Sequence, residues 1–273
     1  VNSAPGSAPT HGTLGSDCSN NLAIGYDALN SITDATNNVA LGSGVLTALT
    51  TGDNSIGIGQ LALTSLTTGS ANIGIGSYAG KGITTASTCI FIGSHAGEYA
   101  ASGANNVALG FSMKGQSGLT NCSNNIAIGY NSLDKITTGN HNIAFGYGAC
   151  QYGTDSDNNI ALGQYAMTGD SVWPYSTTGN NNNVAIGQST LSDITQGSQN
   201  IAIGRLAGTN VTTGSSNILL GYQAGQALTT EGSMLFIASA AESSNGTLIK
   251  GDMANKYLAI GKADVTLSTD PAT

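Results

Sequence analysis

The sequence predicts an all-β protein, a parallel β-solenoid or β-roll of about fourteen coils with a 17-residue period. Three observations predict it. A pentapeptide Asn-ψ-Ala-ψ-Gly, where ψ is Ile, Leu or Val, recurs at nearly constant spacing. Glycine (39 of 273 residues), threonine, serine and asparagine together make up nearly half of the chain, a composition of turns and short strands rather than helices. Both faces of the recurring ψ-Ala-ψ tripeptide are uncharged, and a strand of that kind is normally covered on both sides.

The motif ends at Gly25, Gly42, Gly59, Gly76, Gly93, Gly110, Gly129, Gly146, Gly163, Gly187, Gly204 and Gly221. A further step of 17 reaches Ala238, and a last copy is Leu258-Ala259-Ile260-Gly261. A fixed short period with rare insertions marks a solenoid, because no unit can bury its own apolar face without its neighbours. Seventeen residues suit one coil with two short strands and two turns, the coils about 4.8 Å apart. Four residues before the motif Gly stands Asn in most copies, including Asn38, Asn72, Asn106, Asn142, Asn159 and Asn200, an internal amide ladder at a turn. Nine before it stands Thr, including Thr50, Thr67, Thr137 and Thr212, each opening a Thr-Thr-Gly corner whose Gly can adopt the positive φ of a tight turn. Small residues such as Ala62, Ala79 and Ala96, three after the Gly, mark the second, weaker strand. The two branched residues of each strand, Ile143 and Ile160 among them, are expected to line the stacked interior. The small middle residue then faces outward and packs against another chain.

The array spans residues 20–238, preceded by a linker or attachment arm, 1–19, and followed by a closing segment, 239–273. Val1 is not an initiator methionine, so a leader can have been removed. A formal charge of −8 with only 8% charged residues gives no footprint for nucleic acid, and no apolar run is long enough for membrane insertion. Cys18, Cys89, Cys122 and Cys150 form no metal or disulfide framework; Cys18 and Cys122 share a phase but lie six coils apart, too far to pair. His11, His95 and His141 fall at unrelated phases, so no metal is expected. No catalytic fingerprint or cofactor motif occurs outside the repeat turns, and the chain is expected not to be an enzyme.

The segments Asn37-Asn38-Val39-Ala40-Leu41-Gly42, Asn105-Asn106-Val107-Ala108-Leu109-Gly110, Asn124-Asn125-Ile126-Ala127-Ile128-Gly129 and Asn182-Asn183-Val184-Ala185-Ile186-Gly187 resemble the head repeats of YadA-type trimeric autotransporter adhesins. The longer period with Thr-Thr-Gly turns is similar to repeats of phage tail fibres and bacterial surface proteins. Leu235-Phe236-Ile237-Ala238, Leu248-Ile249-Lys250-Gly251-Asp252 and Leu258-Ala259-Ile260-Gly261 look like the segment that closes such arrays. The resemblance implies a homotrimeric fibre or adhesin. It further implies a place on a virion, as a tail or head fibre, or alternatively on a bacterial surface. Its partners would be a cell-surface glycan or protein receptor and a virion or cell-surface attachment protein.

Binding specificity is expected where the coils differ. The largest insertion carries Asp170, Trp173, the only tryptophan, and Tyr175; an exposed Trp beside Tyr can stack on a sugar ring, or Trp173 can plug a groove between chains. Tyr26, Phe111, Tyr130, Tyr147 and Tyr222 each follow a motif Gly and form an aromatic stripe, read as a packed ladder or as a glycan platform. Two other readings are a polysaccharide depolymerase, using Asp170 with Asp193 or Asp155 with Asp157, and an ice-binding solenoid built on the Thr column.

Overall fold

Each of the twelve motif copies that end at Gly25 to Gly221 forms a three-residue strand, because the branched flanking residues favour extended backbone and the Gly that follows permits a corner. The structure, a computed structural model, describes residues 18–99, 102–115, 122–169, 179–239, 247–252, 254–260 and 263–266. The protein is an all-β parallel solenoid of about 12 turns with a period near 17 residues. It divides into two compact units, Val1–His141 and Asn142–Thr273. The first unit stacks β1 (Leu22–Ile24), β2 (Val39–Leu41), β3 (Ile56–Ile58), β4 (Ile73–Ile75), β5 (Ile90–Ile92), β6 (Val107–Leu109) and β7 (Ile126–Ile128), each parallel to the next. The second unit stacks β8 (Ile143–Phe145), β9 (Ile160–Leu162), β10 (Val184–Ile186), β11 (Ile201–Ile203), β12 (Ile218–Leu220) and β13 (Met234–Ala238) in the same way. The register matches motif to motif, and the seven extra residues between Gly163 and Gly187 leave it intact, with Val184 opposite Ile160.

The fourteenth motif copy is not a coil. After β13 the chain turns back into β14 (Thr247–Asp252), β15 (Tyr257–Ile260) and β16 (Ala263–Thr266), all paired antiparallel, and Leu258-Ala259-Ile260 lies within β15. A parallel coil needs the intervening Asn, Thr and Gly corners, and the segment from Ser239 to Tyr257 lacks that pattern.

The second expected strand is also absent. The residues after the motif Gly form a run of tight turns in which alternate positions adopt a left-handed backbone: Gly44 and Leu46 at φ 67° and 52°, Leu61 and Leu63 at 56° and 52°. Their N–H groups alternate between neighbouring coils, Gly44 donating back to the Tyr26 carbonyl (2.8 Å) and Leu46 forward to the Ala62 carbonyl (3.2 Å). No β-branched residue occupies either phase from Asp27 to Gly225, as the left-handed region demands. Conversely, Gly52 and Gly69 of the Thr-Thr-Gly corners do not have positive φ; a Cβ there would lie 2.3 Å and 1.9 Å from the carbonyl oxygen of the next coil, so glycine is required by close approach.

The strand faces are the reverse of the sequence expectation. The middle residues Ala40, Ala108, Ala144, Ala161 and Ala202 are fully buried, whereas Ile143 is 36% exposed, Phe145 55%, and Ile160 half-buried. The reason is volume. Leucines from the turns, Leu46, Leu49, Leu63 and Leu66, fill the narrow interior, each stabilising it by about 1.5–3 kcal/mol. Only a small residue fits on the strand opposite them, since a Cβ on Gly57 would meet Val45 Cγ1 at 2.3 Å. Where the strand carries a large interior residue, the turns give way. Phe91 is flanked by Gly80 and Gly97, whose Cβ atoms would meet its ring at 2.7 and 2.4 Å, and Leu219 by Gly208 and Gly225 in the same manner.

This reciprocity is testable by denaturant unfolding. Phe91→Ala is expected to cost about 3–5 kcal/mol. Gly97→Leu should destabilise the wild-type chain but stabilise the Phe91→Ala chain, and simple additivity of the two changes would contradict the shared-volume account.

Candidate functional site

Inside each unit the asparagines form a polar column, with Ser55 and Cys89 at the same phase in the first unit. Asn38 Oδ1 accepts the Ser55 N–H (2.8 Å), Asn72 the Cys89 N–H (3.0 Å), Asn106 the Asn125 N–H (3.0 Å), Asn142 the Asn159 N–H (3.0 Å), Asn159 the Asn183 N–H (2.9 Å) and Asn200 the Asn217 N–H (3.0 Å). Their amide groups donate to corner carbonyls, Asn38 to Gly52 (2.9 Å) and Asn200 to Gly214 (3.0 Å). All six are at most 1% exposed, so this pairing removes the penalty of burying both amide and backbone polar groups. A second ladder of opposite polarity runs two residues earlier, broken at Ala104: Thr36 N–H donates to Asp53 Oδ1 (2.6 Å), Asp53 N–H to Ser70 Oγ (3.0 Å), and Ser70 N–H to Ser87 Oγ (3.1 Å). Sequence reasoning missed it, although Thr, Asp, Ser and Asn recur at that phase. The Thr50, Thr67 and Thr212 hydroxyls each donate to the next threonine's carbonyl at 3.0 Å, and Thr137 stands at the same phase. The ladder threonines thus spend their protons within the protein.

The surface carries two different columns just past the motif glycines. In the first unit Tyr78 stacks on His95 (ring centroids 4.9 Å apart), His95 meets Phe111 (5.5 Å), and Phe111 stacks on Tyr130 (5.1 Å). Beside it runs an alternating charge ladder, Lys81, Glu98, Lys114, Asp134. Glu98 accepts from His95 Nδ1 (2.6 Å) and lies 3.8 Å from Lys81, while Asp134 pairs with Lys114 and Lys135, both at 3.1 Å. Glu98 and Asp134 are buried, and Lys114 also lies over the Phe111 ring. Tyr78, His95 and Phe111 are half-buried in the stack and the charges are matched, so the column works as a clamp across coils, and only the terminal ring, Tyr130, stays 50% exposed.

In the second unit the corresponding column is open. Gln188 donates to Gln164 Oε1 (3.3 Å), Arg205 Nε donates to Gln188 Oε1 (3.1 Å), and Arg205 Nη1 reaches the Tyr222 hydroxyl (3.5 Å). All four side chains are exposed. Tyr147 and Tyr165, exposed at 44% and 37%, meet edge to face nearby in sequence. Thus the stripe read from the sequence divides: Phe111 is packed in the clamp with Tyr130 stacked on its exposed end, Tyr222 ends the polar ribbon, and Tyr26 and Tyr147 are exposed.

Asp170, Trp173, Tyr175 and His11 lie outside the described residues. His141 is exposed, and Asp193 accepts from the Ser192 hydroxyl. Among the described residues no group of His, Cys, Asp and Glu side chains could hold a metal ion, and no helix is long and apolar enough to cross a membrane. No family model, no curated protein and no solved structure matches the chain.

The four cysteines are unpaired. Burial pushes the Cys122 thiol up to about 11 and Cys150 to about 12, from an ordinary 9.0, and raises Cys89 as well. Thiols that ionise later in the folded than in the unfolded state add stability that is intact below about pH 9 and is lost as pH rises towards 11–12. Iodoacetamide at pH 8 is therefore expected to modify half-buried Cys18 in the folded protein and to leave Cys89, Cys122 and Cys150 untouched until denaturant is added, as peptide mass mapping would show.

Proposed function

We propose that the chain is a segment of a homotrimeric fibre, most readily a phage or viral tail or head fibre displaying a host-receptor-binding surface. A trimeric bacterial surface adhesin is the sister reading from the same resemblance. The observation that carries the proposal is the outward strand face. Column by column it presents only aliphatic residues in the first unit, Leu22 to Ile126 and Ile24 to Ile128, and aliphatics with Phe145 in the second. A contiguous exposed apolar surface of this extent marks an interface. Its ridges repeat at the coil spacing, about 4.8 Å, and another copy of the same chain supplies ridges at that same spacing. The number three comes from the resemblance to YadA-type heads. The antiparallel β14–β16 meander supports a fibre segment, since it ends the parallel stacking in the region that looks like an array terminus. The Asn, Thr and charge ladders supply rigidity.

Light scattering of the native protein is expected to give about 82 kDa, three chains of 27.2 kDa. Ile201→Asp with Ile203→Asp, both on the outward face, should lower this to the single-chain mass while β circular dichroism persists. A native mass of 27 kDa for the unaltered chain would end the proposal.

Receptor contact by the Trp173 insertion is tested separately. Deletion of Asp170 to Tyr175 is expected to leave the flanking register and the melting temperature nearly unchanged, because surface insertions cost little to remove. Attachment to host cells should fall sharply. Full attachment by the folded deletion variant would move the contact elsewhere on the fibre.

A further inference from the structure

We infer that the exposed ribbon Gln164–Gln188–Arg205–Tyr222 is a binding site for an acidic oligosaccharide, with Arg205 gripping a sugar carboxylate; the inference rests on the adhesive reading above. Arg205 is the only arginine in the chain. The three cations of the first unit's clamp each face a buried carboxylate. Arg205 has no carboxylate partner among the described residues, and its charge stands uncompensated at the surface.

The guanidinium is nevertheless held. Its Nε–H is committed to Gln188 Oε1 at 3.1 Å, one Nη1–H points to the Tyr222 hydroxyl at 3.5 Å, and its centre lies 5.6 Å from the Tyr222 ring. Gln188 is fixed in turn by its amide bond to Gln164 Oε1 at 3.3 Å. A guanidinium carries five N–H donors in a planar fork, and these contacts use two of them. The remaining edge is preorganised for a planar carboxylate, the geometry in which arginine differs from lysine. Holding the side chain beforehand lowers the entropy lost on binding.

The ligand class follows from what surrounds that edge. The ribbon presents an amide at Gln164, a phenol at Tyr222 and a partly exposed ring, groups that suit hydroxyls and the apolar faces of sugars. Its side chains are spaced by the coil rise, about 4.8 Å, a spacing on the scale of sugar units in an extended chain. A sugar polymer lying along the solenoid would therefore meet one ribbon side chain per residue. The overall charge of −8 opposes long-range attraction of an anion, so recognition depends on the local fork and on repetition along a multivalent fibre.

The test uses the whole chain on surfaces bearing three tetrasaccharides: α2,8-linked oligosialic acid, oligogalacturonic acid and neutral cellotetraose. Binding at least tenfold tighter to one of the acidic surfaces than to the neutral one is expected, and which acid prevails identifies the source of the carboxylate. Arg205→Ala and Arg205→Lys should both lose about tenfold or more on the acidic surface, with unchanged melting. Equal binding to the neutral surface, binding to neither acid, or full acidic binding by Arg205→Ala would overturn the inference. Light scattering of the same samples separates the two failures: a trimer that ignores the acids refutes only this site, whereas a monomer refutes the fibre reading.

Discussion

Each coil directs backbone N–H groups into its own dry interior, and the side chain of the coil before accepts one of them: Asn38 for Ser55, Asn159 for Asn183, Asn200 for Asn217. An unpaired buried N–H costs of the order of 1–3 kcal/mol, so within each unit this contact couples a coil to the next wherever Asn stands at that phase. The oppositely directed ladder through Asp53 and Ser70 ties the coil in the other direction. Together they fix the rise and the register. The columns of leucine, alanine and glycine can stack only because the register holds within each unit, and the insertion before Asn180 changes chain length without breaking the pattern, since Asn159 still accepts from Asn183.

A rigid periodic core leaves the surface free to vary by phase. The strand phase is uniformly apolar and outward, which suits association along the whole length. The phase after the motif glycine is used in two ways. In the first unit it is closed into stacked rings and paired charges spanning Tyr78 to Tyr130. In the second it is an open run of amides, one guanidinium and one phenol. The same backbone therefore supports a clamp that spans the 19-residue spacing between Gly110 and Gly129, and a polar ribbon that spans the 24-residue spacing between Gly163 and Gly187.

The sequence by itself determined the parallel solenoid, its period, its asparagine and threonine columns and the place of each parallel strand, because all of these are properties of one residue phase repeated along the chain. Which strand face looks inward was a different matter. Period-2 alternation says that Ile160 and Ala161 face opposite ways, and only the leucines arriving from the turns decide that Ala161 goes inside. The reciprocal exchange of Phe91 with Gly80 and Gly97 was written in the sequence, yet it gains meaning only once the fold brings those phases into one space. The same holds for Arg205: its uniqueness is a matter of composition, but its lack of a carboxylate partner among the described residues and its seat between Gln188 and Tyr222 depend on the stacking of coils 17 residues apart. Tertiary structure decided what shares a volume, because side chains distant along the chain compete for the same few ångströms between adjacent coils.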